Sequence, residues 1–191
     1  EIFGYGDSDE TMYRTDVHDS PHDVVVRAAL VVSRHLDLAA PEQQFAYSID
    51  AASSTAAKDG TPIDVIAVAM SSSSTPSWRW DASALRYLRA MSDGAADTDS
   101  AGVQLDARNV IVIRVDVTYS TGVPKTELIG AGEAWVSTGG HTVHATWSKI
   151  SMTERIRIVD DNGVDVRLAP GRTWIELVPL SGGVNFVPPA A

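Results

Sequence analysis

The stretch that decides the fold is Asn109-Val-Ile-Val-Ile-Arg-Val-Asp-Val-Thr-Tyr119, the longest run of β-branched residues in the chain. Its first part, residues 110–113, is apolar on both faces, which is typical of a central strand. From Ile113 onward the pattern alternates, with valines facing one way and polar side chains such as Arg114 and Asp116 facing the other. The sequence therefore predicts a central β-strand that is buried at its start and amphipathic toward its end.

Short apolar or alternating segments follow one another along most of the chain, separated by turn residues. Strong turn signals occur at Gly139-Gly140, at Asp160-Asp161-Asn162-Gly163 and at Pro170-Gly171. Consecutive strands that are joined by tight turns usually pair with each other, so this pattern indicates antiparallel sheets. The predicted strands are 45–49, 63–70, 78–80, 85–89, 109–119, 127–136, 142–148, 156–158, 164–168 and 173–178.

One helix is predicted near the N-terminus. Ser20-Pro21-His22-Asp23 has a capping residue, then proline, then an acid, which is a helix-start signature. Val25, Val32 and Leu36 follow at helical spacing, and the helix should end before Pro41. The predicted fold class is therefore α+β: mostly antiparallel strands in two packed sheets with one main N-terminal helix, a β-β-α layered sandwich.

The chain is predicted to contain a single domain. Residues 1–19 are polar and without periodicity, and they are interpreted as a lead-in segment from a missing N-terminal half. Residues 20–180 form the predicted α+β domain. Residues 181–191 are rich in glycine and proline and are predicted to be a flexible tail.

Composition excludes several classes of function. The net charge is −10, which argues against a nucleic-acid partner because phosphate contacts need clustered Lys and Arg. The chain has no cysteine, so disulfides, thiolate metal sites and a cysteine nucleophile are excluded. No stretch approaches the roughly 18–20 apolar residues of a membrane span. The sequence begins at Glu1 without a signal-like segment, so we expect a processed product or a piece of a longer protein.

A set of ordered motifs carries a family resemblance. The motifs are Trp80-Asp81, Tyr87-Leu88-Arg89, Asp99, Asp106-Ala107-Arg108-Asn109-Val110-Ile111-Val112, Gly130-Ala131-Gly132-Glu133-Ala134, Gly139-Gly140, Ala145-Thr146-Trp147-Ser148-Lys149 and Pro170-Gly171-Arg172-Thr173-Trp174-Ile175-Glu176. In order and spacing, over roughly residues 63–179, they resemble the C-terminal half of the YerB-like bacterial lipoproteins. Ser20-Pro21-His22-Asp23 is similar to the Pro-His-Asn segment that closes that family's N-terminal half, with Asp23 where Asn is usual.

The resemblance implies a cellular location and a fold. It implies an extracytoplasmic protein, membrane-anchored or secreted in the cell envelope, with two sheets and a helical layer. It also implies that most of the N-terminal half is absent from this chain. The family has no established biochemical activity, so the resemblance supplies no reaction.

The last predicted strand holds the first candidate site residues. Ile175 and Leu177 share one face and Trp174 and Glu176 share the other. If the aliphatic pair faces the core, Trp174 and Glu176 point outward or toward a second layer. With Arg172 they form a candidate ligand site, in which the Arg fixes an anionic group and the carboxylate accepts hydrogen bonds. The alternative is a structural Arg–Glu pair at the preceding turn.

Trp80 is a further candidate, because an indole gives apolar area together with a polar group that suits a sugar ring or an envelope polymer. The alternative is that Trp80, like Trp78, Trp147 and Trp174, fills core space between the sheets.

Metal and catalytic signatures are weak. The histidines lack a His-Glu-x-x-His pattern or a third ligand at a telling spacing, so no metal is predicted. Residues 97–108 start like a calcium loop, but Ala101 and Arg108 occupy two of its ligand positions. No serine lies in a Gly-x-Ser-x-Gly motif. We therefore predict neither catalytic residues nor a cofactor.

Two main hypotheses on function remain open, beside a third possibility of an interaction domain whose motif residues only hold the fold. The first is a non-catalytic binding or scaffold module of the envelope, whose ligand is a cell-wall polymer or an envelope protein and whose other partner is the missing N-terminal half. The second is an envelope hydrolase with its site between the two halves, where Arg14 and His22 converge with the C-terminal motif.

Overall fold

The computed structural model describes residues 10–17, 19–20, 23–40, 42–119 and 122–190. Within these residues the chain forms mostly short β-strands together with two short helices. In chain order the elements are β1 (Met12–Arg14), β2 (Val24–Val26), α1 (Ala28–Arg34), β3 (Ala46–Tyr47), α2 (Thr55–Asp59), β4 (Thr61–Pro62), β5 (Val65–Ala69), β6 (Ser77–Asp81), β7 (Arg86–Ala90), β8 (Asp106–Ala107), β9 (Asn109–Thr118), β10 (Lys125–Glu127), β11 (Gly130–Thr138), β12 (His141–Lys149), β13 (Arg157–Asp160), β14 (Arg167–Leu168), β15 (Thr173–Pro179) and β16 (Gly183–Val187).

The chain divides into two compact units, Glu1–Glu42 and Gln43–Ala191. In the first unit β1 and β2 form an antiparallel pair. The predicted N-terminal helix is much shorter than expected, because Val24–Val26 forms β2 and α1 begins only at Ala28. Three consecutive β-branched valines favour the extended backbone over the helix. None of the residues of α1 is buried, so α1 does not supply the predicted helical core layer.

In the second unit, β9 is the central strand of a seven-stranded sheet. It pairs antiparallel with β10 and β11, and parallel with β15, while β12 continues the sheet to β13 and β4. Residues 110–113 are fully buried, since the sheet is covered on both faces. The prediction of a central strand that is buried at its start is confirmed.

The parallel pairing of β15 with β9 differs from the hairpin pattern of the sequence. Thr173 lies opposite Asn109 and Pro179 lies opposite Val115, so the two strands run together over seven residues. A strand that pairs in parallel with β9 must begin at the same end of the sheet as β9. The chain returns to that end after β13 and β14. Local turn signals report only neighbouring pairings, so they could not reveal this long-range pairing.

A second sheet of five strands has the order β16-β5-β6-β7-β8 and covers one face of the first sheet. The core between the two sheets includes Trp78 and Tyr87 from the second sheet and Val110 and Val112 from β9. The segment predicted as a flexible tail contributes to this sheet, because Gly183–Val187 forms β16 and pairs antiparallel with β5. Its apolar residues pack on the same core, which stabilises the segment in spite of its glycines.

The other face of the seven-stranded sheet carries a separate core. It includes Ile111, Ile113 and Trp147, and Phe45 and Tyr47 pack against it. The covering segments contain the parallel pair of β3 and β14, and α2 contacts β11, β12 and β14. The two-sheet α+β architecture is thus confirmed, whereas the cover on this face is made of short strands and the five-residue α2 instead of one main helix.

Asn109 connects the start of β9 to its neighbours through a fully buried side chain. Its Nδ2 donates to the Ala169 carbonyl at 2.9 Å and to Thr173 Oγ1 at 3.1 Å. Its Oδ1 accepts from the Ala169 amide at 3.0 Å and from Thr138 Oγ1 at 2.7 Å. These four bonds use the full capacity of the amide, and they join β9 to β11 and β15.

Candidate functional site

An open cleft of about 630 Å³ lies in the second unit, on the side of the sheet that β3 and β14 cover. Four segments line the cleft, namely residues 43–47, 148–150, 154–158 and 165–167. A volume of this size falls within the range of small-ligand sites in proteins. The cleft is therefore a candidate site in the part of the chain that the structure describes.

Local pairing explains why the cleft forms. β3 pairs with β14 over only two residues, with Ala46 opposite Arg167, and Ser48 N donates to the Leu168 carbonyl at 2.9 Å. Phe45 and Tyr47 pack on the core beneath. The chain between β12 and β13 forms no strand over residues 150–156, so a gap stays open beside β3.

Charge distinguishes the cleft from the rest of the surface. Its lining contains the four cations Lys149, Arg155, Arg157 and Arg167 and the two acids Glu154 and Asp165. Four cations against two acids leave an excess of two positive charges. The whole chain carries a net charge of −10, so this is a local positive region on an acidic protein.

Hydrogen bonds hold these cations in place while leaving donors available. Arg155 Nη1 donates to the Gln43 carbonyl at 3.4 Å and Arg167 Nη1 donates to the Tyr47 carbonyl at 3.3 Å. Lys149 Nζ donates to the backbone carbonyl of Glu154. A guanidinium has five N–H donors, so each arginine retains several after such a bond.

The fourth cation is neutralised locally. Arg157 Nε lies 3.0 Å from Asp165 Oδ1, and both side chains are largely exposed. Among the described residues, Lys149, Arg155 and Arg167 form no salt bridge with a carboxylate. The cleft thus offers three cations that are not paired with an acid.

The lining also contains hydroxyl and carboxylate groups. Ser148 and Tyr47 carry side-chain hydroxyl groups, and Glu154 and Asp165 carry carboxylates. The cations beside them can bind anionic groups through charge-assisted hydrogen bonds.

Trp174 and Glu176, the predicted ligand residues of β15, face the second sheet. Glu176 is 4% exposed, and its Oε1 accepts a hydrogen bond of 2.8 Å from Trp78 Nε1. The rings of Trp174 and Trp78 lie 5.2 Å apart at a tilt of 59°. Of the two orientations that the sequence left open, the one toward a second layer is observed, and Ile175 is the more exposed neighbour at 37%.

Arg89 completes this buried cluster and was not among the predicted site residues. Its Nε lies 3.4 Å from Glu176 Oε1, and its guanidinium carbon lies 5.1 Å from the ring centroid of Trp174. Its Nη1 also pairs with Asp97. The alternating pattern of β7 contains no signal for this role, because the partners come from β15 and from a loop.

The side-chain hydrogen bonds of Arg172 do not involve Trp174 or Glu176. Its Nη2 donates to both carboxylate oxygens of Asp106 at 2.9 Å, while Arg86 Nη1 donates to the same carboxylate at 3.2 Å. The hydrogen bonds therefore join Arg172 to Asp106 and join Glu176 to Trp78 and Arg89. They do not assemble the predicted Arg172–Glu176 pair.

Trp80 is half-buried and packs at the turn between β11 and β12. Its ring lies 5.0 Å from that of Tyr87, and a Cβ placed on Gly140 would lie only 2.8 Å from Trp80 Nε1. Tyr87 OH donates to the His141 carbonyl at 3.4 Å, and burial raises the pKa of Tyr87 well above its ordinary value. These contacts make Trp80 part of the packing between the sheets.

The two candidates from the first unit are only partly described. Arg14 Nη1 forms a salt bridge of 2.5 Å with Asp23 Oδ2. His22 lies outside the described residues. The hydrolase hypothesis requires Arg14 and His22 beside the C-terminal motif, and it stays a prediction.

His144 lies between two carboxylates on the exposed face of β12. Its Nδ1 lies 2.5 Å from Asp161 Oδ1, and its Nε2 lies 3.3 Å from Glu133 Oε1. The hydrogen bond to Asp161 is the main cause that raises the pKa of His144 above its ordinary value. In the described part of the chain, no group of three or more His, Asp or Glu side chains is arranged to hold a metal ion.

Among the residues that the structure describes, neither helix has the length and apolar character that crossing a bilayer requires.

The fold and the cleft define a class of protein, a mostly antiparallel two-sheet α+β protein with an open cation-lined cleft. The family model described as "Protein of unknown function (DUF3048) C-terminal domain" matches residues 66–175, and the chain belongs to this family. The resemblance that the sequence motifs indicated is thereby confirmed. Segments 148–158 and 165–167 of the cleft lie inside the matched region, whereas segment 43–47 precedes it.

A solved structure shares the fold. The crystal structure of YerB protein from Bacillus subtilis matches with a TM-score of 0.66 and 17% sequence identity. The match covers 92% of this chain and 59% of that chain, so this chain spans about three fifths of the length of its structural relative. The comparison with curated proteins found no match.

Proposed function

We propose that the chain is a non-catalytic binding module of the bacterial cell envelope, and that its ligand lies in the cleft beside β3. The observation that carries this proposal is the 630 Å³ cleft, whose lining combines polar, charged and half-buried aromatic side chains. Such a lining suits recognition of an extended polar chain. The extracytoplasmic location is supported by the resemblance to bacterial lipoproteins.

The cleft replaces the surface that the sequence suggested. Trp174 and Glu176 lie between the sheets, so a ligand would have to separate the sheets to reach them. Arg172 is exposed, and its Nη2 is paired with the Asp106 carboxylate. The cleft, by contrast, is open to a ligand without rearrangement of the core.

The absence of cysteine allows a clean test of this proposal. Ser148→Cys introduces a single thiol at the cleft, which a bulky maleimide can label, and Ser100→Cys introduces one on an exposed loop of the other sheet as a matched control. The probe is purified bacterial cell-wall sacculi that retain their attached polymers. Binding is measured by co-sedimentation, and folding is checked by circular dichroism.

We expect the wild type and both unlabelled variants to co-sediment with the sacculi. Labelled Ser148→Cys should bind at least about tenfold more weakly, because the label fills the cleft. Labelled Ser100→Cys should bind like the wild type. Failure of the wild type to bind, or unchanged binding of labelled and folded Ser148→Cys, overturns the proposal.

A further inference from the structure

We propose that the cleft takes an anionic polymer, and that Lys149, Arg155 and Arg167 bind its phosphate or carboxylate groups. This inference rests on the proposed function, because it names the ligand class of the same cleft. Phosphate is tetrahedral and carboxylate is planar, but each presents two oxygens that the arginine fork binds through two parallel hydrogen bonds.

The first support is the pairing of cations elsewhere in the second unit. Arg79, Arg86 and Arg89 are each paired with a carboxylate, at Asp64, Asp106 and Asp97 respectively. Among the described residues of this unit, Lys58, Arg108 and Arg114 form no salt bridge either, and none of them lines the cleft. Half of the six unpaired cations in the described part of the unit therefore lie at one cleft.

The second support is the way in which the two arginines are anchored. Each guanidinium donates one Nη1 hydrogen to a carbonyl of the segment that forms one wall of the cleft. This anchoring restricts the side chain, which lowers the entropy cost of binding a ligand. It leaves the remaining N–H donors of Arg155 and Arg167 for an oxyanion.

The third support is that the two arginines are anchored at different residues of one wall of the cleft. The carbonyl that anchors Arg155 belongs to Gln43, and the one that anchors Arg167 belongs to Tyr47. A polymer with repeating negative groups can contact both arginines along such a wall.

The polar side chains of the cleft favour a polar polymer over a protein partner. Gln43, Gln44 and Ser148 line the cleft together with the cations. Protein interfaces depend mainly on exposed aromatic anchors, but Phe45 and Tyr47 pack on the core of this protein. The Glu154 carboxylate is the one lining acid without an ion pair among the described residues, and it sets a limit on how close an anionic group can approach there.

The test compares four probes by isothermal titration calorimetry. Polyphosphate and polygalacturonate supply repeating phosphates and repeating carboxylates, polyglutamate supplies an acidic peptide, and dextran is a neutral polymer. The test variant is the double substitution Arg155→Gln with Arg167→Gln. The control variants are Arg155→Lys with Arg167→Lys, which keeps the charge, and Arg79→Gln, which removes an exposed cation from the other sheet.

We expect the wild type to bind at least one of the two anionic polymers and not dextran. The double glutamine variant should bind at least about tenfold more weakly, because each charge-assisted bond contributes on the order of a tenfold change in affinity. The lysine variant should lose less, and Arg79→Gln should match the wild type. Raising the salt concentration should weaken the wild-type affinity, since the contacts are ionic.

Each contrary outcome has a distinct meaning. If the sacculi bind through the cleft but neither anionic polymer binds, this inference fails and the proposed function stands. If polyglutamate binds at least as tightly as polyphosphate and polygalacturonate, the ligand is an acidic peptide and the proposal of an anionic envelope polymer is overturned. Equal affinity of the wild type and the folded double glutamine variant also overturns it.

Discussion

The indole of Trp78 on β6 donates a 2.8 Å hydrogen bond to the carboxylate of Glu176 on β15, and this bond directly joins the two sheets. Both side chains are buried. A buried carboxylate is costly unless it is hydrogen-bonded and paired with a cation, and Arg89 supplies that cation. The residues that suggested a ligand site therefore stabilise the contact between the sheets.

Arg89→Met is expected to lower the free energy of unfolding by roughly 3 kcal/mol, because it leaves the buried carboxylate of Glu176 without its cation. The measurement is urea denaturation followed by tryptophan fluorescence. Arg79→Met is the matched control, since Arg79 is 68% exposed and its salt bridge with Asp64 should contribute less than about 1 kcal/mol. Equal unfolding midpoints for the two variants would contradict the structural role of Arg89.

Asn109→Ala is expected to lower the free energy of unfolding by about 3 kcal/mol. The substitution removes four hydrogen bonds and leaves the Ala169 amide and carbonyl without their partners in the core. Asn162→Ala, in the exposed hairpin turn before β14, serves as the control and should change stability by less than about 0.5 kcal/mol. A chemical denaturation curve of Asn109→Ala that overlays the wild-type curve would rule out this role.

Gly140→Ala should destabilise the protein more than Gly163→Ala does. Both glycines have a positive φ, 74° and 77°, so each substitution carries backbone strain of about 1 kcal/mol. At Gly140 the new Cβ also meets the indole of Trp80 at 2.8 Å, whereas nothing lies within 4 Å at Gly163. Differential scanning calorimetry measures the comparison, and a larger loss of Tm for Gly163→Ala would show that Trp80 is not packed at this turn.

Asp161→Asn is expected to lower the pKa of His144, because the carboxylate that raises it is replaced by a neutral amide. A raised folded-state pKa means that the ion pair stabilises the fold below the ordinary His pKa of about 6.5 and that this stabilisation disappears as the pH rises through the folded-state value. The stability difference between the wild type and the variant should thus be larger at about pH 5.5 than at about pH 8.

The measurement for His144 is an NMR titration of its ring protons, combined with denaturation at the two pH values. The side chain is 42% exposed, so the energetic effect should stay below about 1 kcal/mol. Asp165→Asn is the control, because Asp165 pairs with Arg157 instead. An unchanged His144 titration in Asp161→Asn would mean that this ion pair does not form.

Phe186→Ala tests whether the C-terminal segment belongs to the second sheet. Phe186 packs on the core between the sheets, and its ring lies 5.6 Å from that of Trp135. The loss should be roughly 2 kcal/mol for this half-buried ring, and less than about 1 kcal/mol for the more exposed Val187→Ala. Thermal unfolding of both variants gives the answer, and wild-type stability of Phe186→Ala would indicate a loosely held tail.

Local sequence patterns predicted most strands of this protein. They failed where pairing with a distant strand decides the conformation of a segment. The alternating segment of β12 and the glycine turn before it appear as predicted, since both depend on neighbours in the sequence. Val25 is in helical spacing with Val32 and Leu36, yet Val24–Val26 pairs with β1 and the helix begins later. Gly183–Val187 lies in a segment rich in glycine and proline, and its pairing with β5 and its packing on the core order it.

The candidate site was harder to predict than the fold. The alternation of the last strand correctly predicts that Trp174 and Glu176 share one face. Which layer they face depends on the second sheet, and β15 carries no signal for that. The cleft joins residues 43–47 to residues 148–150, 154–158 and 165–167, so one of its walls is far in the sequence from its cations.

The sequence by itself determined the strands, the central position of residues 110–113 and the family, because side-chain alternation, β-branching and ordered motifs are local properties. Only the tertiary structure decided that β15 runs parallel to β9, that Glu176 is buried beside Arg89, and that three cations meet at one cleft. The physical reason is that these features depend on which distant segments pack together, and packing is a property of the whole core.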